Sequence, residues 1–398
     1  MRHLRLLRNK QIKRIIINGY FGYRSLGDEA ILSGMINAFR EQINNCKIIV
    51  FSNHPSVIEK LHNVSSVRDF PIGIRSFLFW IFSGELINTI RELVNADLFV
   101  FGGGGGLSDE QRWQNIPESF IKIILAKLFR LPMITYSLGA GPIKTKLGKL
   151  LTKIAFDKFN IITVRDQESK KWLIDTGLKK EIILTADPGV LIQPDAKVNL
   201  RNLAGKSIHN YSKRYKIGLA PAAMFFSKNI WPGRQKDYTR LLNSFAKIGD
   251  FVNEKLNSDV FLFQVSPNVD TDFCMKIQQK MKNKSHLLFP GYNHLEIAGA
   301  FAQMDMIIGS RFHSVVLSTM VGVPFVAIIY HHKTKCFLEQ IRQLHRSVPL
   351  EFNLEDLFQV IVDTWNKREE MKKELAMITP ELRRGAKFPS IMASKLLE

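Results

Sequence analysis

The chain has 398 residues, of which 45% are hydrophobic and 23% charged. This length suits two domains better than one core, and the composition is that of a globular rather than a disordered protein. Lys and Arg total 56 against 36 Asp and Glu, which gives a formal net charge of +20 and favours an anionic partner: nucleic acid, a phosphorylated substrate or an acidic membrane surface.

Cysteine spacing and hydropathy exclude several protein classes. The three cysteines lie far apart, so they form neither a zinc ribbon nor a C-x-x-C redox motif, and reduced cytosolic thiols are expected. The apolar runs Phe77–Phe82 and Ile121–Leu131 are too short or too often broken by charge to span a bilayer. The basic segment Met1–Arg14 lacks the apolar stretch of a signal peptide. These features predict a cytoplasmic protein without a membrane span.

Short apolar runs alternate with helical patterns along the chain, which is typical of parallel sheets with crossover helices. The first half predicts strands and helices in this order: strand Lys13–Asn18, helix Gly27–Gln42, strand Lys47–Phe51, helix Arg75–Ala96, strand Asp97–Phe101, helix Ser119–Arg130, strand Met133–Leu138, strand Ile161–Val164, helix Asp166–Thr176 and strand Glu181–Leu184.

The polar, aperiodic segment Pro194–Lys216 is the best candidate for a linker, after which the alternation restarts. The second half predicts strand Ile217–Ala220, helix Tyr238–Leu256, strand Val260–Gln264, helix Asp272–Lys282, strand His286–Phe289, helix His294–Ala302, strand Met306–Ile308, helix His313–Val321, strand Pro324–Ile329, and helical stretches Lys335–His345 and Leu354–Ile378. We therefore expect an α/β protein of two doubly wound, Rossmann-like domains facing a cleft, as in GT-B folds, with domains 1–195 and 216–398 and a linker 196–215.

Three glycine-containing loops follow strands in the first half. The loop Gly19–Ala30 has Gly22 where the backbone can approach a ligand, and Asp28 and Glu29 open the next helix; two acids there suit sugar hydroxyls better than phosphate. Capping of the helix in a tight turn is the alternative interpretation.

The second loop has five consecutive glycines, including Gly103 and Gly104, and ends at Asp109. Such a run is entropically costly for a plain connector, and it matches neither a Walker loop nor a dinucleotide fingerprint. The third loop places Gly139 after a strand in the same way. Because the carboxyl ends of parallel strands meet at one edge, we expect these loops to line a binding site.

Two segments supply basic residues to strand ends. Arg165 follows a strand in Val164-Arg-Asp166, where a surface pair with Asp166 is the alternative. The second segment, Gly309-Ser-Arg-Phe-His313, is the strongest single feature, because it places Ser310, Arg311 and His313 between a buried strand and a helix. Arginine binds carboxylate or phosphate in a bidentate manner, and histidine transfers protons near neutral pH. The alternative is a capping serine beside a core histidine.

The stretch after Gly309 carries no acidic residue as far as Tyr330, which favours a compact anion over the ribose of a nucleotide sugar. The segment Tyr330-His-His-Lys333 adds positive charge near the same edge. Its histidine pair has no nearby carboxylate or cysteine to complete a ligand set, so no metal and no cofactor are predicted.

These motifs, taken in order, resemble the polysaccharide pyruvyl transferase family. The matching segments run from Gly19 to Phe337: G-Y-x-G…G-D-E-A, the glycine run ending in Asp109, G-x-G-P, V-R-D, G-S-R-F-H with G-x-P, and Y-x-x-K. The chain departs from the family at Ser25, where Asn is usual, and at the His-His pair after Tyr330, where Asp-Pro is common.

The resemblance implies transfer of pyruvate from phosphoenolpyruvate, a co-substrate, to two hydroxyls of one sugar in a polysaccharide or lipid-linked glycan, forming a cyclic ketal. On this interpretation His313 is the general acid, and the donor is bound by Arg311, Arg165, Lys333 and Ser310. The acceptor sugar is bound by the N-terminal loops, through Gly22, Asp28, Glu29, Gly103, Gly104, Asp109 and Gly139.

Two other classes of protein stay open at this point. A GT-B glycosyltransferase that uses a nucleotide sugar fits the architecture, and a non-catalytic protein that binds a membrane surface or nucleic acid fits the charge. No known nucleic-acid motif occurs in the chain, so no nucleic-acid partner is expected. The net charge, the basic N-terminal segment and the Phe77–Phe82 run together predict peripheral contact with the anionic inner face of a membrane.

Overall fold

The computed structural model describes residues 12–23, 25–70, 82–110, 112–204, 213, 215–223, 235–288 and 291–398. The chain divides into two compact units: unit 1 comprises residues 1–23, 31–191 and 384–398, and unit 2 comprises residues 24–30 and 192–383. Within the described residues, no helix is both long and apolar enough to cross a membrane. Residues 75–81, the first part of the predicted helix Arg75–Ala96, and all of the apolar run Phe77–Phe82 except Phe82 lie outside the described residues; the rest of the predicted helix contains a helix at Glu85–Asn95.

Unit 1 is built on a parallel five-stranded sheet of order β3-β2-β1-β4-β5. Its strands are β1 (Lys13–Asn18), β2 (Cys46–Ser52), β3 (Ser65–Arg68), β4 (Leu98–Gly102) and β5 (Met133–Tyr136), and a small parallel pair follows, β6 (Thr163–Val164) and β7 (Ile183–Leu184). The crossover helices are α1 (Leu26–Gln42), α2 (Pro55–His62), α3 (Glu85–Asn95), α4 (Asn115–Leu128), α5 (Lys146–Phe156) and α6 (Gln167–Ile174).

Unit 2 repeats the design with a parallel six-stranded sheet of order β10-β9-β8-β11-β12-β13. Its strands are β8 (Tyr215–Ala220), β9 (Ser258–Leu262), β10 (Ser285–Leu287), β11 (Met306–Gly309), β12 (Phe325–Ile329) and β13 (Ser347–Pro349). The remaining helices are α7 (Leu200–Leu203), α8 (Gln235–Lys255), α9 (Pro267–Lys280), α10 (His294–Phe301), α11 (Phe312–Val321), α12 (His332–Gln340), α13 (Leu354–Asn366) and α14 (Arg368–Leu397).

Each sheet has one point where the strand order reverses, between β1 and β4 in unit 1 and between β8 and β11 in unit 2. The central strands are buried on both faces, which explains their near-continuous apolar sequences, such as Leu98–Gly102 and Met306–Gly309. Ligands of doubly wound sheets bind outside the carboxyl ends of the strands at such a reversal. The loops after β1, β4, β8 and β11 therefore occupy the positions that matter for function.

The structure differs from the sequence-based expectation at several elements. The short strands Ser65–Arg68 and Ser347–Pro349 at sheet edges were not expected, nor was helix α5. The stretch expected as one helix over Leu354–Ile378 is two helices, of which α14 runs on to Leu397. The end of the chain returns to unit 1, where the Tyr136 hydroxyl donates to the carbonyl of Ala386 at 2.9 Å.

Candidate active site

Strand β11 delivers the strongest sequence motif to the point where the strand order of unit 2 reverses. The Ser310 backbone N–H donates to the carbonyl of Ala220 at 3.0 Å, and its hydroxyl oxygen accepts from the N–H of Ala222 at 2.8 Å. Ser310 is 2% exposed. Its side chain therefore joins the ends of the neighbouring strands β8 and β11 and fixes the direction in which the next residues leave the sheet.

The guanidinium of Arg311 forms a buried ion pair with Asp270. Arg311 Nε donates to Oδ2 of Asp270 at 3.0 Å, and Nη2 donates to Oδ1. Asp270 is fully buried, and its two oxygens also accept from the N–H groups of Ala223 and Ser266 at 3.0 and 2.9 Å. This bidentate pairing holds the plane of the guanidinium in one orientation.

The electrostatics around Arg311 favour its charged form. Burial alone would lower the pKa of Arg311, but the Asp270 carboxylate outweighs that effect, so the pKa is raised above its ordinary value. Burial raises the pKa of Tyr330 at the end of β12, with Arg311 acting in the opposite sense. Tyr330, Arg311 and Asp270 thus form one electrostatically coupled group.

His313 lies in the first turn of α11 and packs against the first turn of α1. A Cβ atom added at Gly27 would overlap the imidazole ring, so only glycine permits this approach. The turn is held in place by the Leu26 N–H, which donates to the carbonyl of Val265 at 3.1 Å. On its other side the ring contacts Phe312 edge-on at a centroid distance of 4.9 Å. His313 is therefore positioned by packing.

The acids of the first loop lie in this same turn. Asp28 is half-buried and Glu29 is 1% exposed. The turn belongs to unit 2 together with His313, although most of α1 belongs to unit 1. The structure therefore groups the predicted acceptor residues Asp28 and Glu29 with the predicted donor residues Arg311 and His313.

Lys333 lies in the first turn of α12, after the two histidines. The Lys333 backbone N–H donates to Nδ1 of His331 at 3.3 Å, so this histidine caps the helix, and its ring lies 4.0 Å from that of His332. Across the part of the chain that the structure describes, no group of three or more His, Cys, Asp and Glu side chains could hold a metal ion.

The glycine loops of unit 1 are bonded to each other. The Gly103 N–H donates to the carbonyl of Tyr136 at 3.0 Å, and the Gly139 N–H donates to the carbonyl of Gly104 at 2.9 Å. Gly103 has φ +78°, and a Cβ there would overlap the Sδ of Met35 on α1. The glycines thus let the second and third loops pack together beneath α1; contact with a sugar through Gly103, Gly104 and Gly139 stays a prediction.

Arg165 is buried in unit 1, where it forms an ion pair with Asp187 at 2.7 Å and lies 3.6 Å from Asp166. A Cβ at Gly139 would lie 2.8 Å from its Nη2, so the guanidinium rests on the third glycine loop. Arg165 belongs to unit 1, whereas Arg311 belongs to unit 2. The alternative expected from the sequence was a pair with Asp166 at the surface. The structure differs in two respects: the nearer partner is Asp187, and Arg165 and Asp187 are both buried.

Asp109 organises the start of α5. Its Oδ1 accepts from the Lys144 N–H at 2.8 Å, and its Oδ2 accepts from the N–H and the hydroxyl of Thr145 at 2.9 and 2.6 Å. Burial alone would raise the pKa of Asp109, but these hydrogen bonds prevail and lower it below the ordinary value. Both oxygens of this predicted acceptor residue therefore have partners within the protein.

Gly22 shapes an aromatic corner that the sequence analysis did not single out. Gly22 has φ +89°, and a Cβ there would lie 2.5 Å from the hydroxyl oxygen of Ser52 at the end of β2. The turn brings Tyr20 and Tyr23 into a parallel stack with centroids 4.1 Å apart, and Tyr20 is 55% exposed. Tyr23 packs edge-on against His54. An exposed, supported aromatic ring at a strand end is suited to pack against a sugar ring.

Asp270, Asp187 and Tyr20 were therefore missed by sequence reasoning. The two carboxylates pair with arginines 41 and 22 residues away, and no local pattern signals a contact of that separation. A signal did exist for Asp270, which lies in a polar segment directly after the predicted strand Val260–Gln264. Tyr20 was visible inside the Gly19–Ala30 motif.

The fold and the ordered motifs agree with known proteins. Solved structures with the same fold include the UDP-GlcNAc 2-epimerase of Neisseria meningitidis bound to UDP-GlcNAc, with 12% identity, a TM-score of 0.59, and 97% of this chain and 99% of that chain covered. The S. aureus MnaA–UDP complex matches with 11% identity and a TM-score of 0.61, and the match covers 95% of this chain and 94% of that chain. Anabaena Alr3699/HepE in complex with UDP-glucose matches with 11% identity and a TM-score of 0.57, over 96% of this chain and 98% of that chain. This likeness confirms the predicted GT-B-like class of fold.

The sequence comparisons identify the family. A curated relative, the amylovoran biosynthesis protein AmsJ of Erwinia amylovora, is 22% identical over 240 residues; the alignment covers 56% of this chain and 55% of that protein, about half the length of each. The family model for polysaccharide pyruvyl transferase matches residues 26–332, more than three quarters of the chain and most of the segments on which the resemblance rested. The chain belongs to the polysaccharide pyruvyl transferase family.

Proposed function

We propose that this protein transfers pyruvate from phosphoenolpyruvate to two hydroxyls of one sugar in a cell-surface polysaccharide or its lipid-linked precursor. The product is a cyclic ketal, and inorganic phosphate is released. Support comes from the family and from one observation above all: β11 leads directly into Ser310, Arg311 and His313, with Arg311 held by a fully buried Asp270. A fixed guanidinium beside a histidine suits a small anion that must be protonated.

The steps follow from the chemistry of an enol phosphate. His313 protonates the methylene carbon of phosphoenolpyruvate, which places oxocarbenium character on the neighbouring carbon. A sugar hydroxyl attacks that carbon, and its proton restores the acid form of His313. The bond from carbon to the phosphate oxygen breaks and phosphate leaves. The second hydroxyl then attacks the same carbon and gives its proton to the departing phosphate, which closes the ring.

Positive groups of unit 2 bind the donor in this proposal. Arg311, whose guanidinium Asp270 holds in one orientation, binds the donor carboxylate through its positive charge, and Lys333 adds charge near the phosphate. Ser310 joins the ends of β8 and β11 and so fixes the direction in which Arg311 leaves the sheet. Arg165 remains a candidate for donor binding, although it pairs with Asp187 in unit 1.

The acceptor sugar is assigned to the acidic turn and to the first loop. Asp28 and Glu29 lie in the turn that contacts His313; Asp28 is the more accessible of the two, so a hydroxyl bound to it would lie close to the proton donor. The exposed ring of Tyr20 in unit 1 is itself suited to pack against the face of a pyranose ring. No cofactor is part of the proposal, since phosphoenolpyruvate itself supplies the transferred group.

The proposal is tested by ligand-dependent melting and by product analysis. Phosphoenolpyruvate should raise the melting temperature, by the equivalent of about 2.7 kcal/mol at a hundredfold excess over its dissociation constant. Incubation with phosphoenolpyruvate and a panel of lipid-linked glycans should give one glycan that gains a pyruvyl ketal by mass spectrometry, and His313→Ala should lower that rate by about 10²–10⁴-fold.

A nucleotide-sugar glycosyltransferase is the second candidate, favoured by the solved structures of the same fold that contain UDP, UDP-GlcNAc or UDP-glucose. A melting shift with UDP- or CMP-sugars, and none with phosphoenolpyruvate, would replace the first proposal with this one. For the site of action we propose the cytoplasmic face of a membrane, where a basic protein reaches a lipid-linked acceptor.

A further inference from the structure

Three crossover helices of unit 1 cover the same face of its sheet. Leu93 of α3, Ile123 of α4 and Ala155 of α5 all belong to one buried cluster together with the sheet residues Phe99 and Phe101. Right-handed crossovers require this arrangement, because the chain moves in one direction across the sheet from β3 to β4 and on to β5. The three helices therefore form one layer with a common outer side.

The outer side of this layer exposes apolar side chains at helical spacing. In α5, Leu147 and Leu150 are each 54% exposed and Ile154 is 38% exposed, at positions i, i+3 and i+7. In α4, Ile121 and Leu128 are 54% and 71% exposed and lie seven residues apart. These spacings place each set on one stripe of its helix.

The third helix of the layer continues the pattern. Ile87, Ile90 and Val94 of α3 are again at i, i+3 and i+7 and are 62%, 40% and 38% exposed. Phe82, just before this helix, is 84% exposed. A surface helix normally turns polar residues outward, and single exposed apolar residues are common, but three neighbouring helices with outward apolar stripes are not.

The charges on this layer are mixed on α3 and α4 and positive on α5: α3 contains Glu85, Arg91 and Glu92, and α4 contains Glu118, Lys122 and Lys127. Helix α5 contains Lys146, Lys149 and Lys153 and no acidic residue. Within the described part of the chain, none of these three lysines forms a salt bridge. Exposed Arg91 and Lys127 lie on the other two helices. An apolar stripe flanked by lysines has the composition of a helix that lies on an anionic membrane surface.

We propose that the outer side of α3, α4 and α5, called here the apolar face, docks onto an anionic lipid bilayer. The leucines and isoleucines enter the interface between headgroups and acyl chains, while the lysines of α5 bind the lipid phosphates. The occupant is inferred from charge complementarity, since a protein with a net charge of +20 is attracted to an anionic surface. The inference gives the proposed membrane contact a surface, and its test needs no enzymatic activity, so it can fail or succeed independently of pyruvyl transfer.

The test is sedimentation of the full-length protein with vesicles of phosphatidylglycerol and phosphatidylcholine, compared with vesicles of phosphatidylcholine alone. The wild type should bind the anionic vesicles at low salt and dissociate at high salt. Replacing Lys146, Lys149 and Lys153 with Gln should weaken binding roughly 100-fold, since each basic residue contributes about 1 kcal/mol near an anionic leaflet. Leu150→Asp should weaken binding as well, even at low salt.

Two matched controls separate this face from general electrostatics. Replacing Lys280, Lys282 and Lys284 of unit 2 with Gln removes the same amount of charge elsewhere. This variant should bind the anionic vesicles at least tenfold more tightly than the α5 lysine variant. Met377→Asp alters an apolar residue that is more exposed than Leu150, 73% against 54%, and this variant should bind like the wild type. Circular dichroism and melting check that all variants are folded.

Three outcomes would overturn the proposal. The wild type fails to bind anionic vesicles at low salt, both lysine variants lose binding equally, or Leu150→Asp binds like the wild type. Sedimentation velocity adds a fourth: a wild-type dimer that Leu150→Asp dissociates would show that a second copy of the chain covers this face, in place of a membrane.

Discussion

Asp270 determines the orientation of the Arg311 guanidinium, because both carboxylate oxygens accept hydrogen bonds from it. Asp270→Asn removes the charge of a fully buried carboxylate that receives two N–H groups of Arg311 and two from the backbone. The buried guanidinium then loses the carboxylate charge of Asp270 that compensates it. We expect the free energy of unfolding, measured with urea, to fall by about 3 kcal/mol. Binding of phosphoenolpyruvate should weaken too.

The matched control lies two residues away in the same helix. Asp272 pairs with Lys276 at 2.6 Å, but the Asp272 side chain is 72% exposed. Asp272→Asn should therefore change the unfolding free energy by less than about 1 kcal/mol. Equal effects of the two substitutions would show that the Asp270 pair has no special part in the stability of unit 2.

Gly27 is expected to affect catalysis because it leaves the space that the imidazole ring of His313 occupies. In Gly27→Ala the new methyl group occupies the space of the imidazole ring, so either the ring or the first turn of α1 must move. Turnover of the proposed reaction should fall by at least tenfold, because general acids act only within hydrogen-bond reach of their proton acceptor. The pH dependence of turnover should change with it.

Gly385→Ala provides the comparison for that substitution. Gly385 lies in α14, where an added Cβ would meet its neighbours at 3.4 Å, an ordinary contact. This variant should keep wild-type turnover and gain up to about 1 kcal/mol of stability, because alanine favours helices. If Gly27→Ala also keeps wild-type turnover, the packing of Gly27 does not position His313 for the reaction.

At this scale the sequence predicted which side chains a strand end carries, but not how they are paired. The motif Gly309–His313 correctly indicated that a buried strand leads into a helix at Arg311 and His313. The contacts of Arg311 with Asp270, of Arg165 with Asp187 and of His313 with Gly27 join distant parts of the chain. Such contacts depend on the strand order of the sheet, which a single sequence does not specify.

At the scale of elements, hydrophobic patterning identified the buried central strands and missed the margins. Strand Ser65–Arg68 is half-buried throughout and mostly polar, so it lacks both alternation and an apolar run. Helix α5 was missed because its apolar residues Leu147, Leu150 and Ile154 face outward and its lysines obscure the period. Outward-facing apolar residues and sheet edges therefore explain these failures.

The start of α5 allows a test by pH. Asp109 lies at the N-terminus of this helix, where a negative charge interacts favourably with the helix dipole and with three donors from Lys144 and Thr145. Its folded pKa is lower than its ordinary value of 3.8. Its stabilisation is therefore fully present above pH 3.8 and is lost as the pH falls through the lower, folded pKa.

Asp109→Asn should accordingly lower the unfolding free energy at pH 7 by about 1–2 kcal/mol, and the difference from wild type should shrink below pH 4. Urea titrations at the two pH values give both differences. Glu110→Gln is the control: Glu110 pairs with Lys144 at the surface, so its loss should have little effect at either pH. A difference for Asp109→Asn that does not depend on pH would contradict the assignment to the carboxylate charge.

For the whole molecule, the repetition of strand and helix predicted two doubly wound units. The sequence did not predict which short segments of the chain belong to the other unit. Residues 24–30 belong to unit 2 and residues 384–398 to unit 1. No composition change marks either exchange, because each occurs inside a continuous helix, α1 or α14. Helical periodicity continues through such a point regardless of which core each turn contacts.

The two units offer a test of where the donor binds. Arg311, His313 and Lys333 all belong to unit 2, so phosphoenolpyruvate should stabilise that unit against local opening more than unit 1. The buried strands β11 and β4 are comparable reporters, one in each unit. In hydrogen-exchange mass spectrometry, a hundredfold excess of phosphoenolpyruvate over its dissociation constant should slow exchange of β11 by about 100-fold, where exchange requires opening of the unit.

Exchange of β4 should change much less in the same samples, and in Arg311→Lys the slowing of β11 should diminish because lysine cannot replace the guanidinium that Asp270 holds in one orientation. Equal slowing of both strands would mean that unit 1 also binds the donor, with Arg165 as the residue to test next. Slowing of β4 alone would place the donor in unit 1 and contradict the assignment to Arg311 and His313. Because the readout is protection rather than turnover, the experiment locates the donor even before the acceptor glycan is known.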